Sequence, residues 1–271
     1  RSSLTTIAVL AIATSSFAAP AREAAQFEGT SPTSMSQDCL LQVYNTCACW
    51  VWTFTEAEGA IWGTVLDPND CAGGCASGGA VSEIWFWGSC DPAPPATLGS
   101  VGIATVDAAA CLTGSLYESG PITVSSCLSG DRWTMVSMPL VHVNGNEFAV
   151  TVTWGPSTPS IMKFATDNQI GNLFCYLGVV GTFPGCATTT CTCVGWTLPA
   201  ISTYLYLTDF NGDTILDDLC ALYGVPYGLA FPYIYPYGYL ANNLMLYAGL
   251  DCSEPTATEN TSWGHVKALY E

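Results

Sequence analysis

The stretch VHVNGNEFAVTVTW, Val141 to Trp154, decides the fold class. Asn144-Gly145 is the strongest short hairpin signal, because both central residues of a type I′ turn need positive φ. After it, Phe148, Val150, Val152 and Trp154 alternate with Ala149, Thr151 and Thr153. That period of two describes a strand with one buried face. DRWTMVSMPLVHV, Asp131 to Val143, is the expected partner strand across the turn.

Working outward, the same reading places strands at Ala80–Gly88, Ser100–Asp107, Ile161–Thr166, Asn172–Leu177, Tyr204–Thr208 and Asn243–Gly249. Clusters of Gly, Pro, Asn and Ser separate them. No stretch between them carries a three-turn amphipathic helix. Many short strands with turns at short intervals argue for an all-β sandwich or barrel.

The surface must be unusual. Only 10% of the 271 residues are charged, against about 25% in ordinary soluble domains. There are 22 acidic residues against 5 basic ones. Phosphate binding needs clustered Lys and Arg, so nucleic acid is excluded as the expected partner, and anionic membrane surfaces are disfavoured. Cations, neutral glycans and other proteins fit the charge.

The chain opens RSSLTTIAVLAIATSSFAAP. A basic end, the apolar run Ile7 to Ala13 and the small-x-small pattern Ser16-Phe17-Ala18 have the layout of a secretory signal peptide over residues 1–18. The run is too short to span a bilayer, and no later segment reads as a transmembrane helix. A secreted or cell-surface location is therefore expected. Residues 19–36 read as a linker, 37–252 as the β domain, 253–262 as a second linker and 263–271 as a tail.

Export also sets the expectation for the fourteen cysteines, which become disulfides in oxidising surroundings. Cys47-Ala48-Cys49, Cys191-Thr192-Cys193 and Cys71-x3-Cys75 are close clusters, but the CxC pairs fit zinc spacing poorly and His is scarce. Connectivity is not legible. Local bridges such as Cys111–Cys127, or Cys186 with Cys191 or Cys193, are among the options.

Two stretches carry candidate ligands. In TDFNGDTILDD, Thr208 to Asp218, Asp209, Asn211 and Asp213 match positions 1, 3 and 5 of a calcium loop, with Asp217 or Asp218 left to close it. Thr214 stands where such loops have Gly, and Cys220 falls at the closing position. An Asx-type turn is the competing reading. In FPYIYPYGY, Tyr233, Tyr235, Tyr237 and Tyr239 recur every second residue and would line one face of an extended chain. Such a row can stack on sugar rings or join a protein interface.

Catalytic machinery is hard to find. The histidines are His142 and His265. His142 is expected on the outer face of its strand. No G-x-S-x-G elbow or HExxH motif is present. A glycosidase needs only two carboxylates; Glu56, Glu58, Glu83, Glu118 and Glu147 are the pool, and no pair stands out.

The chain ends in TSWGHVKALYE, which resembles a terminal T-x-W-G-x-hydrophobic-K-x-L-Y-R motif of exported bacterial proteins. Glu271 stands where that pattern has Arg. DRWTMVSMPL, VNGNEFAVTV, PSIMKFATDN with Cys175, and NLMLYAG are similar as well. The resemblance implies an antiparallel jelly-roll-like β-sandwich, disulfide-stapled, with a short tail that docks on a sorting or surface component. The expected role is non-catalytic: binding or structural, with a glycan or surface protein as ligand and no cofactor required beyond a candidate calcium ion. The alternatives are a secreted glycan hydrolase with a carboxylate pair, and a subunit of a surface assembly or adhesin.

Overall fold

The computed structural model describes residues 22–26, 39–43, 50–71, 75–91, 95–124, 133–166, 202–209, 211–228, 230–232, 239–241 and 243–252. In chain order its strands are β1 (Arg22–Gln26), β2 (Cys39–Gln42), β3 (Trp50–Phe54), β4 (Ile61–Leu66), β5 (Gly79–Asp91), β6 (Ala96–Leu98), β7 (Ser100–Val106), β8 (Leu112–Glu118), β9 (Ile122–Val124), β10 (Trp133–Val143), β11 (Phe148–Thr153), β12 (Ile161–Thr166), β13 (Thr203–Thr208), β14 (Asp217–Asp218), β15 (Tyr227–Gly228), β16 (Ala230–Pro232), β17 (Tyr239–Ala241) and β18 (Leu246–Asp251).

The pairing is nested. β3 pairs β12, β4 pairs β11, β5 pairs β10 and β7 pairs β8, all antiparallel. First thus meets last, as in one long hairpin. Successive pairs then fall in alternate sheets, because β12 also joins β5 and β11 also joins β7. The result is one sheet with β3, β12, β5 and β10 side by side and another with β4, β11, β7 and β8. This is the double Greek key of a jelly roll, as the resemblance implied. Extra strands widen it: β1 beyond β3, β18 and β2 beside β5, and β13 with β14 and β15 beyond β4. Residues 22–26, expected to be linker, pair with β3 instead.

The two sheets share one core, which supplies the reason for the sandwich. Alternate residues Trp62 and Leu66, Val101 and Ile103, and Phe148, Val150 and Val152 point inward from the second sheet. They meet Ile84, Phe86, Val136, Met162, Phe164, Leu246 and Ala248 from the first. Four rings cross the gap in contact. Trp62 lies 5.0 Å from Trp154, Trp154 lies 4.7 Å from Phe164, and Phe164 lies 5.3 Å from Phe86, centroid to centroid.

The Asn144-Gly145 turn departs from expectation. It does not close a hairpin. β10 pairs β5 in one sheet, and β11 pairs β4 and β7 in the other. The turn therefore carries the chain between sheets, and neither residue has positive φ. The cause is tertiary. Phe148, Val150 and Val152 gain a two-sided ladder and a core face only in the second sheet. Gly145 is needed for a different reason: a Cβ there would lie 1.9 Å from the Ala76 carbonyl oxygen. Pro139 sits where the β10 register shifts, between Ser137 and Val141, so its missing N–H breaks no ladder.

Two substitutions test this account. Trp154→Ala empties the centre of the ring chain and should lower unfolding free energy by about 3–5 kcal/mol in urea. Gly145→Ala should cost about 1–3 kcal/mol through overpacking against Ala76. A hairpin turn free of that contact would tolerate Ala with a much smaller loss.

Candidate functional site

The outer face of the first sheet carries an arrangement that periodicity alone hides. β5 buries Ile84 and Phe86 inward, so Glu83, Trp85 and Trp87 face outward. Register then assembles a row across the strands. Gln42 of β2 stands opposite Tyr247 of β18, Tyr247 opposite Trp85, and Trp85 opposite Met135 of β10. The next row holds Gly249, Glu83 and Ser137. Gly249 has no side chain to fill the place beside the Glu83 carboxyl.

The rings pack closely. Trp85 is stacked on Tyr247 at 5.8 Å, and Tyr247 contacts Trp133 at 5.1 Å. Trp87, Trp133, Met245 and Tyr247 form a second buried cluster with Trp85 at its edge. Beside them, three polar atoms are buried without a hydrogen-bond partner: the Trp85 indole Nε1, Glu83 Oε1 and Gln42 Oε1. Buried polar atoms are seldom left unsatisfied, so three on one face ask for a chemical explanation. Met135 is 48% exposed on this face. By sequence, Glu83 is only one member of a carboxylate pool. The aromatic face is invisible to periodicity because β5 carries apolar residues on both sides and has the pattern of a plain core strand.

The acidic loop lies elsewhere, at an end of β13. Its oxygens are turned onto its own backbone. Asp209 accepts N–H bonds from Gly212 and Thr214, Asn211 accepts from Asp213, and Asp213 accepts from Ile215, all at 2.8–2.9 Å. These are nested Asx turns, with Gly212 and Thr214 at positive φ. Asp217 pairs with Thr208 in β14. Asp218 caps the single-turn helix Leu219–Tyr223 through the Ala221 N–H, and Gly224 ends it in the left-handed conformation. Among the described residues, no three Asp, Glu or His side chains bring ligand atoms within 4.8 Å of one another. An ion here would draw Asp209, Asn211 and Asp213 together and take lone pairs these bonds leave free.

The helix is tied down by Cys111–Cys220. This corrects the local option Cys111–Cys127. Cys111 lies in the β7–β8 turn, and four sheet spacings separate β7 from β14. A flat sheet would hold these positions about 19 Å apart, yet the Cα atoms are 5.9 Å apart. The second sheet must therefore curl over its outer face. Small residues permit it: Tyr206 packs onto Gly63, where a Cβ would lie 2.8 Å from the ring. Burial pushes the Tyr206 phenol up, aided by Tyr204 and Asp107. Burial also raises Tyr204, with help from Glu147. The strap leaves Ile215, Leu222, Tyr223, Val225 and Tyr227 exposed. Next to it, Asp67, Asn69, Asp107, Asn146 and Glu147 line a polar cleft of about 400 Å³.

His142 is exposed, as its place in the strand pattern required. Tyr239 falls in β17, opposite Pro232. Tyr233, Tyr235, Tyr237, the Asn172–Leu177 strand, both CxC clusters, His265, the signal segment and the C-terminal tail lie outside the described residues. No helix among the described residues is long and apolar enough to cross a membrane, which says nothing of strands. Comparison with known proteins gives no match to any family model, curated protein or solved structure.

Glu56, in the β3–β4 connection, differs from the other candidate acids. Burial pushes its carboxyl from 4.5 up to about 7, against the hydrogen bond from Thr208 and with help from the Asp209 charge. Thr208 Oγ1 donates to Glu56 Oε2 at 2.9 Å. A proton held more tightly in the folded state stabilises it fully below the unfolded pKa. That contribution is lost as pH rises through about 7. Glu56→Gln should therefore gain on the wild type by up to roughly 3 kcal/mol between about pH 4 and pH 8. Urea titrations across that range measure the difference; a flat difference would show that the carboxyl is not shielded.

Proposed function

We propose that this is an exported, non-catalytic glycan-binding protein whose ligand lies along the outer face of the first sheet. One observation carries the reading: a donor and two acceptors, Trp85 Nε1, Glu83 Oε1 and Gln42 Oε1, are buried without partners beside stacked aromatic rings. A sugar matches both halves of that chemistry. Its hydroxyls donate and accept, and its C–H face packs on an aromatic ring such as the indole of Trp85, which is only half-buried. A neutral ligand also suits a surface with few charges of either sign. Calcium enters this reading only as an ion that pins the Asp209–Asp213 loop, and the disulfides suit an oxidising, extracellular setting.

The exposed apolar strap favours a second role in surface assembly. Ile215, Leu222, Tyr223, Val225 and Tyr227 are concentrated in one arm, whereas single exposed apolar residues are ordinary. The tail beyond residue 262 would be the other docking element of such an assembly.

A glycan array, followed by calorimetric titration with the best oligosaccharide, tests the main reading. Glu83→Gln keeps the shape of the side chain and should weaken binding by about 10- to 100-fold, the worth of a hydrogen bond to a charged group. Gln42→Ala should add to the loss, with the melting temperature held within a few degrees. An array without binders, or a double variant that binds like the wild type, would sink the proposal.

A further inference from the structure

Three sulfur atoms meet at one corner of the sandwich, and a fourth is bonded to one of them. Cys71, Cys75 and Cys252 place their Sγ atoms within 4.8 Å of one another. Cys39 stands outside that group but is bonded through its sulfur to Cys71, while Cys75 is bonded to Cys252. The topology explains the meeting. Cys39 opens β2 opposite Leu250 of β18, and Cys252 follows the end of β18. Cys71 and Cys75 flank the short connection between the 3-10 helix Pro68–Asp70 and β5. Both N–H groups donate to one acceptor, the Pro68 carbonyl, which holds Cys71 and Cys75 near each other. Close backbone approach completes the corner: a Cβ on Gly79 would lie 2.5 Å from the Asp251 oxygen.

We infer that these four cysteines are a tetrathiolate zinc site in the reduced chain and two disulfides in the oxidised one. Tetrahedral zinc with Zn–S bonds of about 2.3 Å places its sulfurs ~3.8 Å apart; Cys71, Cys75 and Cys252 already lie within 4.8 Å of one another, and the Cys39 thiol, released from Cys71 on reduction, would turn in as the fourth ligand. Cys71-x3-Cys75 has the two-to-four-residue spacing of a zinc knuckle, and the other ligands arrive from β2 and β18, as a closed structural site requires. Cys39, Cys71 and Cys75 are buried in the core, which shields bound thiolates from solvent and oxidants. Each disulfide accepts two electrons and two protons from two molecules of a small-molecule thiol, giving two cysteine thiols and one reductant disulfide. Zn²⁺ then binds the four thiolates and releases their four protons to solvent. Re-oxidation runs the other way and expels the ion. The metal would hold the first sheet's β2–β18–β5 corner in the chain before its disulfides form, a role separate from the glycan reading.

The full chain, reduced with a phosphine, is titrated with Co²⁺ and then Zn²⁺. Wild type and Cys111→Ser/Cys220→Ser should each bind one equivalent more than Cys75→Ser/Cys252→Ser. That equivalent should carry the visible absorption of tetrahedral cobalt thiolate, bleached by zinc. Equal stoichiometry in all three would overturn the proposal. A second measurement on the wild type stands even if the variants do not fold. Zinc should slow alkylation of Cys39, Cys71, Cys75 and Cys252 by about tenfold or more in peptide maps, since bound thiolates are poor nucleophiles toward the reagent. Alkylation at an unchanged rate at these four positions would overturn it as well.

Discussion

The contact chain Trp62–Trp154–Phe164–Phe86 is the interaction on which the rest of the molecule depends. Its first two rings belong to the second sheet or its exit, and its last two to the first sheet. Each pair adds about 0.5–1.5 kcal/mol beyond the area it buries. More important is what the chain dictates. Once Trp154 must reach Phe164, β11 cannot stay beside β10. It crosses to the second sheet, and the nested pairing of the jelly roll follows.

The outer faces of the two sheets then diverge. The first is broad and aromatic, with Trp85, Trp133 and Tyr247 in contact and Glu83 and Gln42 among them. The second has small residues at its outward positions, Gly63, Gly102 and Ala149. That lets Tyr206 and the Cys111–Cys220 strap fold over it. One face thus gathers rings and unpartnered polar atoms in a buried cluster, and the other is spent on curvature. With so few charged side chains, disulfides do work that ion pairs do elsewhere, joining segments distant in sequence at both a corner and an edge.

Much of the strand inventory was legible. Ile161–Thr166 is the strand the pattern described, and Phe148, Val150, Val152 and Trp154 are buried as their alternation required. The asparagine-glycine signal misled because local turn preference, worth a fraction of a kcal/mol, competes with burial of a whole strand face. The acidic loop drew attention through composition, yet its oxygens close Asx turns. Glu83, Trp85, Gln42 and Tyr247 gave no sequence signal as a group, since they come from three strands separated by up to two hundred residues.

By itself, then, the sequence determined the class: apolar alternation and turn residues leave an all-β chain little choice, because period and breaker positions are local properties. It also determined the acid-rich, charge-poor surface and the expectation of disulfides. The tertiary structure alone decided which strands are neighbours, which cysteines meet and which polar atoms are buried without partners. Those depend on register and on long-range packing. One residue of slip exchanges the two faces of a strand, and no local pattern records what lies across the ladder.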